Sequence, residues 1–247
     1  MHTLLWFIYF WLYLLVLLPL LRRARALTKR GDTAAHDVLT RRTVGRWARR
    51  LIAAAGGRVT VEGLEHLPAG PVVCVGNHQG YFDIPLTLGY LGEAKPLVAK
   101  KEIQKIPLIR AWMAELHCVF LDRENPRAAV ASLDEAAALV AAGYSMVVFP
   151  EGTRSRGGEM GEFKGGAFKI AQKARVPVVP FVIEGTADLM EKHHYFIHGG
   201  RIRLRVLPAI DTSAYERADW RALPALCEAQ VRAQLAQMRA ENAEKRP

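Results

Sequence analysis

The sequence is short of cysteine and short of acid. Its three cysteines, Cys74, Cys118 and Cys227, lie far apart, are odd in number and form no CxxC pair. That excludes a disulfide framework and supplies no zinc set. Cys74 and Cys118 sit in apolar runs, so small buried thiols in a reducing compartment are expected. Asp and Glu number 24 against 34 Lys and Arg, leaving a net charge of +10. Such a surplus favours anionic partners: headgroups, phosphorylated metabolites or nucleic acid. Yet no nucleic-acid module is present, and no aromatic platform stands among the basic residues, so nucleic acid is not an expected partner. There is no internal repeat. Basic residues are also missing ahead of the first apolar run, where only Met1, His2 and Thr3 stand. That argues for a retained anchor and against a cleaved signal peptide.

What is present begins with that run. Leu4 to Leu21 reads LLWFIYFWLYLLVLLPLL, 18 residues without a charge, followed by Arg22, Arg23 and Arg25. As a helix it would be about 27 Å long, slightly short of a hydrocarbon core of ~30 Å. It predicts a segment that spans a thinned bilayer or dips into one, and the basic cluster after it predicts a body on the cytoplasmic side. Val44, Trp47, Ala48, Leu51, Ile52 and Ala55 then recur at helical spacing, interleaved with Arg41, Arg42, Arg46, Arg49 and Arg50. This second helix either lies at the headgroups, apolar side down, or packs on the body with its arginines solvated.

The chain of 247 residues suits one sizeable domain plus an appendage. Gly56-Gly57 closes the second helix, so residues 1–56 are read as membrane-anchoring helices and 57–247 as the globular domain. Strands are expected at Val59–Glu62, Val72–Gly76, Pro96–Lys100, Cys118–Leu121, Ser145–Phe149, Val178–Ile183 and Ile202–Leu207. Asp83 is read as capping one helix, with Pro85 in its first turn. Glu102–Leu116 is read as broken helix. Asn125 caps another helix, with Pro126 at its first position, Gly143 at its end and Val130, Leu133, Ala137 and Val140 as its inner stripe. Gly165–Ala174 and Asp219–Glu244 are helical, and the last residues, AENAEKRP, are expected to fray. Strands alternating with helices predict an α/β fold with a mostly parallel sheet flanked by helices.

The chemistry gathers where apolar strands stop. "CVGNHQGYFDIP" ends one strand on His78 and places Asp83 five positions later. On one continuous helix the two side chains would point about 140° apart. With His78 in the turn after a strand and Asp83 at the start of the next helix, the chain reverses at Gly80 and the carboxylate can reach the imidazole. A carboxylate on one ring nitrogen fixes the tautomer, so the other can remove a proton from a hydroxyl. The bland alternative is a structural turn, with Asp83 only a cap. "FPEGTRS" brings Glu151, Gly152, Thr153 and Arg154 to the end of another strand, "VFLDR" ends a third on Asp122 and Arg123, and Lys100 and Lys101 end a fourth. Arginines can fork onto phosphate, and N–H groups beside a glycine can bind anions. Such strand ends are where open α/β sheets carry ligands.

These residues resemble the glycerolipid acyltransferases of the 1-acylglycerol-3-phosphate acyltransferase family. "NHQGYFD" is similar to the family's His-x4-Asp block, "HCVFLDR" to its second, "FPEGTRS" to its third and "VPVVPF" to its fourth, in the same order. The resemblance covers about Val59 to Leu207. It implies that His78 is the general base and Asp83 its orienting partner. It implies that Glu151, Gly152, Thr153 and Arg154 belong to the acceptor site, with Arg154, Lys100 and Arg123 on its phosphate. It implies transfer of a fatty acyl group from acyl-CoA or acyl carrier protein to the sn-2 hydroxyl of 1-acylglycerol 3-phosphate, at a membrane, inner or plasma, with membrane lipid as partner. No metal, no cofactor and no nucleic acid are expected. Two positions depart from the family: Gly80 stands where many members have Ser, and His117 where many have Gly. Both bear on the acceptor's identity, and the alternative is an acyltransferase acting on another lysophospholipid or on glycerol 3-phosphate. Three rivals stand beside this reading. One is a covalent route through Thr153, Ser155 or Cys74, and one is a hydrolase. The third is a membrane-tethered binding protein for acidic lipid or nucleic acid, using Arg201, Arg203 and Arg205. His193, His194 and His198 in "EKHHYFIHGG" read as a polar loop.

Overall fold

A computed structural model describes residues 1–244 of the chain. Its first part is a helical hairpin. α1 (His2–Val16) and α2 (Leu18–Lys29) run nearly continuously through Leu17, which keeps helical angles. α3 (Thr33–Ala54) returns antiparallel, started by Asp32, whose side chain accepts the Ala35 N–H. The antiparallel register is visible in three contacts: His2 with the Ala54 carbonyl, the Trp6 indole donating to the Leu51 carbonyl, and the Phe10 ring tilted against Trp47 at 5.5 Å.

The apolar stripe of α3 is buried: Val44, Ala48, Leu51 and Ile52 face inward, as does Ala55 just beyond it. It packs on the body and on α1, so the helix does not lie apolar side down on headgroups. A core and a bilayer are equally apolar partners, and tertiary packing took the stripe. α1 does the reverse. Trp6 and Leu14 face inward, while Leu4, Leu5, Ile8, Trp11, Leu12, Leu15 and Val16 stay exposed on its outer side.

The body is a sheet with helices on both faces. β1 (Gly57–Glu62), β2 (Val73–Gly76), β5 (Met146–Val148), β6 (Val178–Glu184) and β7 (Gly200–Val206) are ordered β1-β7-β6-β2-β5. All neighbours are parallel except β6 with β7. β3 (Val98–Lys100) pairs in parallel with β4 (Val119–Leu121), and a bridge from Leu97 to Val147 continues the sheet past β5. The expected α/β architecture with a mostly parallel sheet is therefore present. β2 and β6 are buried on both faces, which explains their unbroken apolar runs.

The helices between are α4 (Asp83–Tyr90), α5 (Pro107–Glu115), α6 (Pro126–Ala141), α7 (Gly166–Ala174) and α8 (Arg217–Glu244). Asn125 caps α6 by accepting the Arg127 and Ala128 N–H groups. Val130 departs from the expected inner stripe of α6 and is exposed. Leu133 already lies against Gly166, the first residue of α7, so the turn before it has no helix to cover it. α8 runs through Glu244, the end expected for the last helix, so residues 240–244 of the stretch expected to fray are helical; residues 245–247 lie outside the described part. One apolar cluster joins Trp6, Leu51 and Ile52 of the hairpin to Cys74, Phe82 and Phe181 of the body, and a second fills the other face of the sheet under α6, α7 and α8.

Two of the three arginines of β7 are committed within the fold. Arg203 and Arg205 both pair with Glu62 of β1 and Glu241 of α8. Arg201 stays exposed, so most of the basic stripe weighed for nucleic acid is neutralised by its own neighbours.

Candidate active site

β2 ends at Gly76, and Asn77 fixes the direction of the chain beyond it. Its side chain donates to the Ile183 carbonyl and accepts the Ile183 N–H, both at 2.8 Å, extending the β2–β6 pairing by one side-chain rung. His78 follows, and α4 starts five residues later on Asp83. The Asp83 carboxylate is fully buried. It does not cap α4, as the sequence suggested; it turns back into the loop. Its Oδ2 accepts His78 Nδ1 at 2.6 Å, the Gln79 N–H at 2.6 Å and the Gly80 N–H at 2.9 Å. Its Oδ1 accepts the Thr186 hydroxyl. Because a carboxylate accepts there, Nδ1 carries the ring proton and Nε2 keeps its lone pair. The His78 ring stacks on Phe149 at 4.2 Å and remains partly open to solvent.

The "FPEGTRS" loop is stitched to the histidine. Glu151 Oε1 accepts the His78 N–H at 2.6 Å, and Oε2 accepts the Gly161 N–H at 2.8 Å. The Ser155 N–H donates to the His78 carbonyl at 2.8 Å. Glu151 thus holds the backbone of the histidine turn. Burial raises its carboxyl above the usual range, and those two N–H groups pull it only part of the way back.

Gly152 takes φ +71°, and a methyl there would sit 3.4 Å from Lys164 Nζ and 3.6 Å from Arg123 Nη1. Arg123, Gly152 and Lys164 therefore share one corner. Arg123 forms no ion pair among the described residues, and burial lowers its affinity for its proton, with Glu102 partly compensating. An exposed guanidinium without a carboxylate partner among the described residues is suited to a bound anion. Lys164, in "FKGGA", was not singled out from the sequence. Thr153 sits between this corner and Arg154. Lys100 closes β3 as an exposed side chain, 3.8 Å from Glu102.

Arg154 faces a partner the sequence did not announce. Its guanidinium lies 3.6 Å over the Tyr81 ring and 3.5 Å from Glu191 Oε1. That same oxygen accepts the Tyr81 N–H at 2.6 Å. Burial raises the Glu191 carboxyl as well. A Cβ at residue 80 would come within 2.4 Å of Glu191 Oε2. Gly80 and Glu191 are thus complementary, the carboxylate filling the space a side chain at 80 would take. Gln79 adds a last tie, accepting the Gly185 N–H at 3.1 Å, while the Thr186 hydroxyl directed at Asp83 stands 3.3 Å from the same oxygen.

The thiols take no part. Cys74, Cys118 and Cys227 are buried and free, and burial pushes Cys74 up to about 11. Among the described residues the one histidine–carboxylate cluster close enough to hold an ion is His36, Asp37 and His117, which shares no residue with the dyad.

Residues 58–184 match the Acyltransferase family. A chloroplastic 1-acyl-sn-glycerol-3-phosphate acyltransferase, BAT2 of Brassica napus, is 44% identical over 135 residues, covering 54% of this chain and 39% of its own. The mouse (Mus musculus) 1-acyl-sn-glycerol-3-phosphate acyltransferase alpha is 35% identical over 181 residues, covering 70% of this chain and 61% of its own. The chain thus spans less than two thirds of the length of these curated relatives. The crystal structure of PlsC, the 1-acyl-sn-glycerophosphate acyltransferase of Thermotoga maritima, superposes with a TM-score of 0.81 at 30% identity over 97% of this chain and 98% of that one.

Proposed function

The chain belongs to the 1-acylglycerol-3-phosphate acyltransferase family of glycerolipid acyltransferases, and from that premise we propose that it moves a fatty acyl group from a thioester to the sn-2 hydroxyl of 1-acylglycerol 3-phosphate, giving phosphatidate. The observation that carries the proposal is the 2.6 Å contact between His78 Nδ1 and the buried Asp83 carboxylate, with the ring still open to solvent. His78 Nε2 takes the hydroxyl proton as the oxygen attacks the thioester carbonyl. The tetrahedral adduct collapses, the C–S bond breaks, and the leaving thiolate takes the proton back from the imidazolium. No covalent acyl-enzyme is required. The donor is acyl-CoA or acyl carrier protein.

Arg123 and Lys164 beside Gly152 receive the acceptor's phosphate, and Arg154, held between Tyr81 and Glu191, flanks the same rim. Glu151 acts through His78, as a positioning residue.

Among the described residues one helix, His2–Lys29, is long and apolar enough to cross a membrane. Its inner side is committed to α3 through Trp6, Leu14 and Leu21. In the proposed arrangement residues 1–56 anchor the body of 57–247 by dipping the outer face of α1 into one leaflet of the inner or plasma membrane. The basic cluster at Arg22, Arg23 and Arg25 keeps the body on the cytoplasmic side.

The test is a panel of lysophospholipids and glycerol 3-phosphate, each given labelled palmitoyl-CoA or palmitoyl carrier protein. Phosphatidate formed from 1-acylglycerol 3-phosphate supports the proposal. Free fatty acid without acylated lipid would point to a hydrolase and overturn it.

A further inference from the structure

A second polar cluster lies where the hairpin meets the body, between α3 and the turn from α5 into β4. His36 is 4% exposed, and its Nε2 lies 3.1 Å from Glu115 Oε2 while its Nδ1 lies 3.0 Å from Asp37 Oδ1. His117 Nε2 approaches the same Asp37 oxygen at 3.7 Å. The three atoms fall within 4.8 Å of one another. Thr40 Oγ1, on a residue 1% exposed, has no hydrogen-bond partner among the described residues, and Thr40 lines the same small hollow as Asp37, His117 and Tyr144.

With His36 neutral, hydrogen bonding alone leaves this cluster unbalanced. A neutral imidazole has one N–H. If His36 donates Nε2–H to Glu115, its Nδ1 lone pair points at a carboxylate oxygen. A cation between them resolves the conflict. His117 Nε2 faces the same Asp37 oxygen, so in its neutral form it would offer a lone pair to that ion. A carboxylate on the far nitrogen of a histidine is the usual support for a metal-bound ring. Two ligands each about 2.1 Å from a tetrahedral ion stand about 3.4 Å apart, and the observed 3.0 and 3.7 Å bracket that spacing. The other charges are placed elsewhere: Arg41 faces the second Asp37 oxygen and Glu93, and Arg25 faces Glu115.

We propose that His36 Nδ1, Asp37 Oδ1 and His117 Nε2 bind one divalent ion of the Zn2+ type, with Thr40 Oγ1 holding the water that completes the set. The ion would fasten the membrane hairpin to the segment that leads through β4 to Arg123. It is a pin, remote in sequence from the dyad and no part of the acyl transfer. His36 and His117 come from distant parts of the chain, so no ligand spacing announces them.

The test uses the full chain in detergent, stripped with chelator, and Zn2+ or Co2+ alone as probe. The expected result is one ion per chain by equilibrium dialysis, with the visible bands of four-coordinate Co2+ and a rise in melting temperature on Zn2+ addition. His117→Gly removes a ligand yet suits the φ of +59° at that position, and it should weaken binding at least 100-fold and abolish the thermal shift. Glu115→Gln, a gentler change, should weaken binding about 10–100-fold. Joint His193→Ala and His198→Ala, which removes a pair of adjacent imidazoles elsewhere on the surface, should change nothing. Absence of ion uptake by the wild type overturns the proposal. So does uptake that survives His117→Gly or disappears with the surface pair.

Discussion

His78 Nδ1 and Asp83 Oδ2 are 2.6 Å apart, and the same oxygen also takes the N–H groups of Gln79 and Gly80. One buried carboxylate therefore both orients the ring and closes the turn that carries it. His78→Ala should lower kcat by about 10²–10⁴, the usual contribution of a positioned base, with an unchanged melting temperature. Asp83→Asn should lose activity and stability together, because its amide nitrogen must face one of four donors, and an unpaired buried group costs about 1–3 kcal/mol. Kinetics and thermal melting on the two variants separate the roles. Equal melting temperatures would sink the structural half of the claim.

Gly80 and Glu191 form a second relationship. Gly80→Ser places atoms where the Glu191 carboxylate now stands. The displaced carboxylate should release the Tyr81 N–H and loosen Arg154, raising KM for the lysolipid more than it lowers kcat. Adding Glu191→Ala opens the space and should recover part of the loss. A double variant worse than the sum of its singles would show that the steric account is mistaken.

How much of this could be read beforehand depends on how local the cause is. His78, Glu151 and Arg123 stand out because each interrupts or follows an apolar strand, and period and composition reveal such an end. The partners of those residues do not stand out. Glu191 meets Tyr81 across 110 positions, and Asn77 meets Ile183 across 106. Those pairings exist only once β2 lies beside β6. Asp before a helix commonly caps; at Asp83 the tight loop and the His78 ring offer their N–H groups first. The stripe of α3 was visible as a period, but a period does not name what covers it.

Arg123 should matter more than Lys100. It forms no ion pair among the described residues and lies beside Gly152 and Lys164, whereas Lys100 is already within 3.8 Å of the Glu102 carboxylate and has no such neighbours. A charge-assisted hydrogen bond lost at such a site is worth about 1.5–3 kcal/mol, or roughly ten- to hundred-fold in KM for the phosphate-bearing acceptor. Arg123→Ala should show that rise, while Lys100→Ala should change KM less than threefold. Steady-state titration of lysolipid at fixed donor gives both numbers, and the reverse order would move the anion site to β3.

Glu151 sets an expected pH signature in stability. Its carboxyl is raised in the fold, so folding favours its protonated form. That stabilisation is complete below the unfolded value of about 4.3 and is lost as pH climbs through the raised folded value. Glu151→Gln mimics the protonated shape and cannot ionise. The stability of wild type relative to this variant should therefore fall as pH rises from about 4. Denaturant titrations of the two proteins across that range check the sign. A difference that grows with pH would mean that the His78 and Gly161 N–H groups outweigh burial.

The outer face of α1 gives the last test. Leu5, Ile8, Leu12 and Leu15 are exposed while Trp6 and Leu14 face the body. Ile8→Glu or Leu12→Glu should leave folding intact, since neither side chain touches the core. Each places a carboxylate in hydrocarbon, where a charge costs about 2.5–3.5 kcal/mol near the centre of a spanning helix. Sedimentation with phospholipid vesicles should then drop about tenfold or more for either variant. Activity on lysolipid dispersed in detergent should persist, because the dyad is built from β2 and α4 and is untouched. Loss of detergent activity together with vesicle binding would mean that the outer face supports the catalytic body directly, and the division between anchor and enzyme would have to be abandoned.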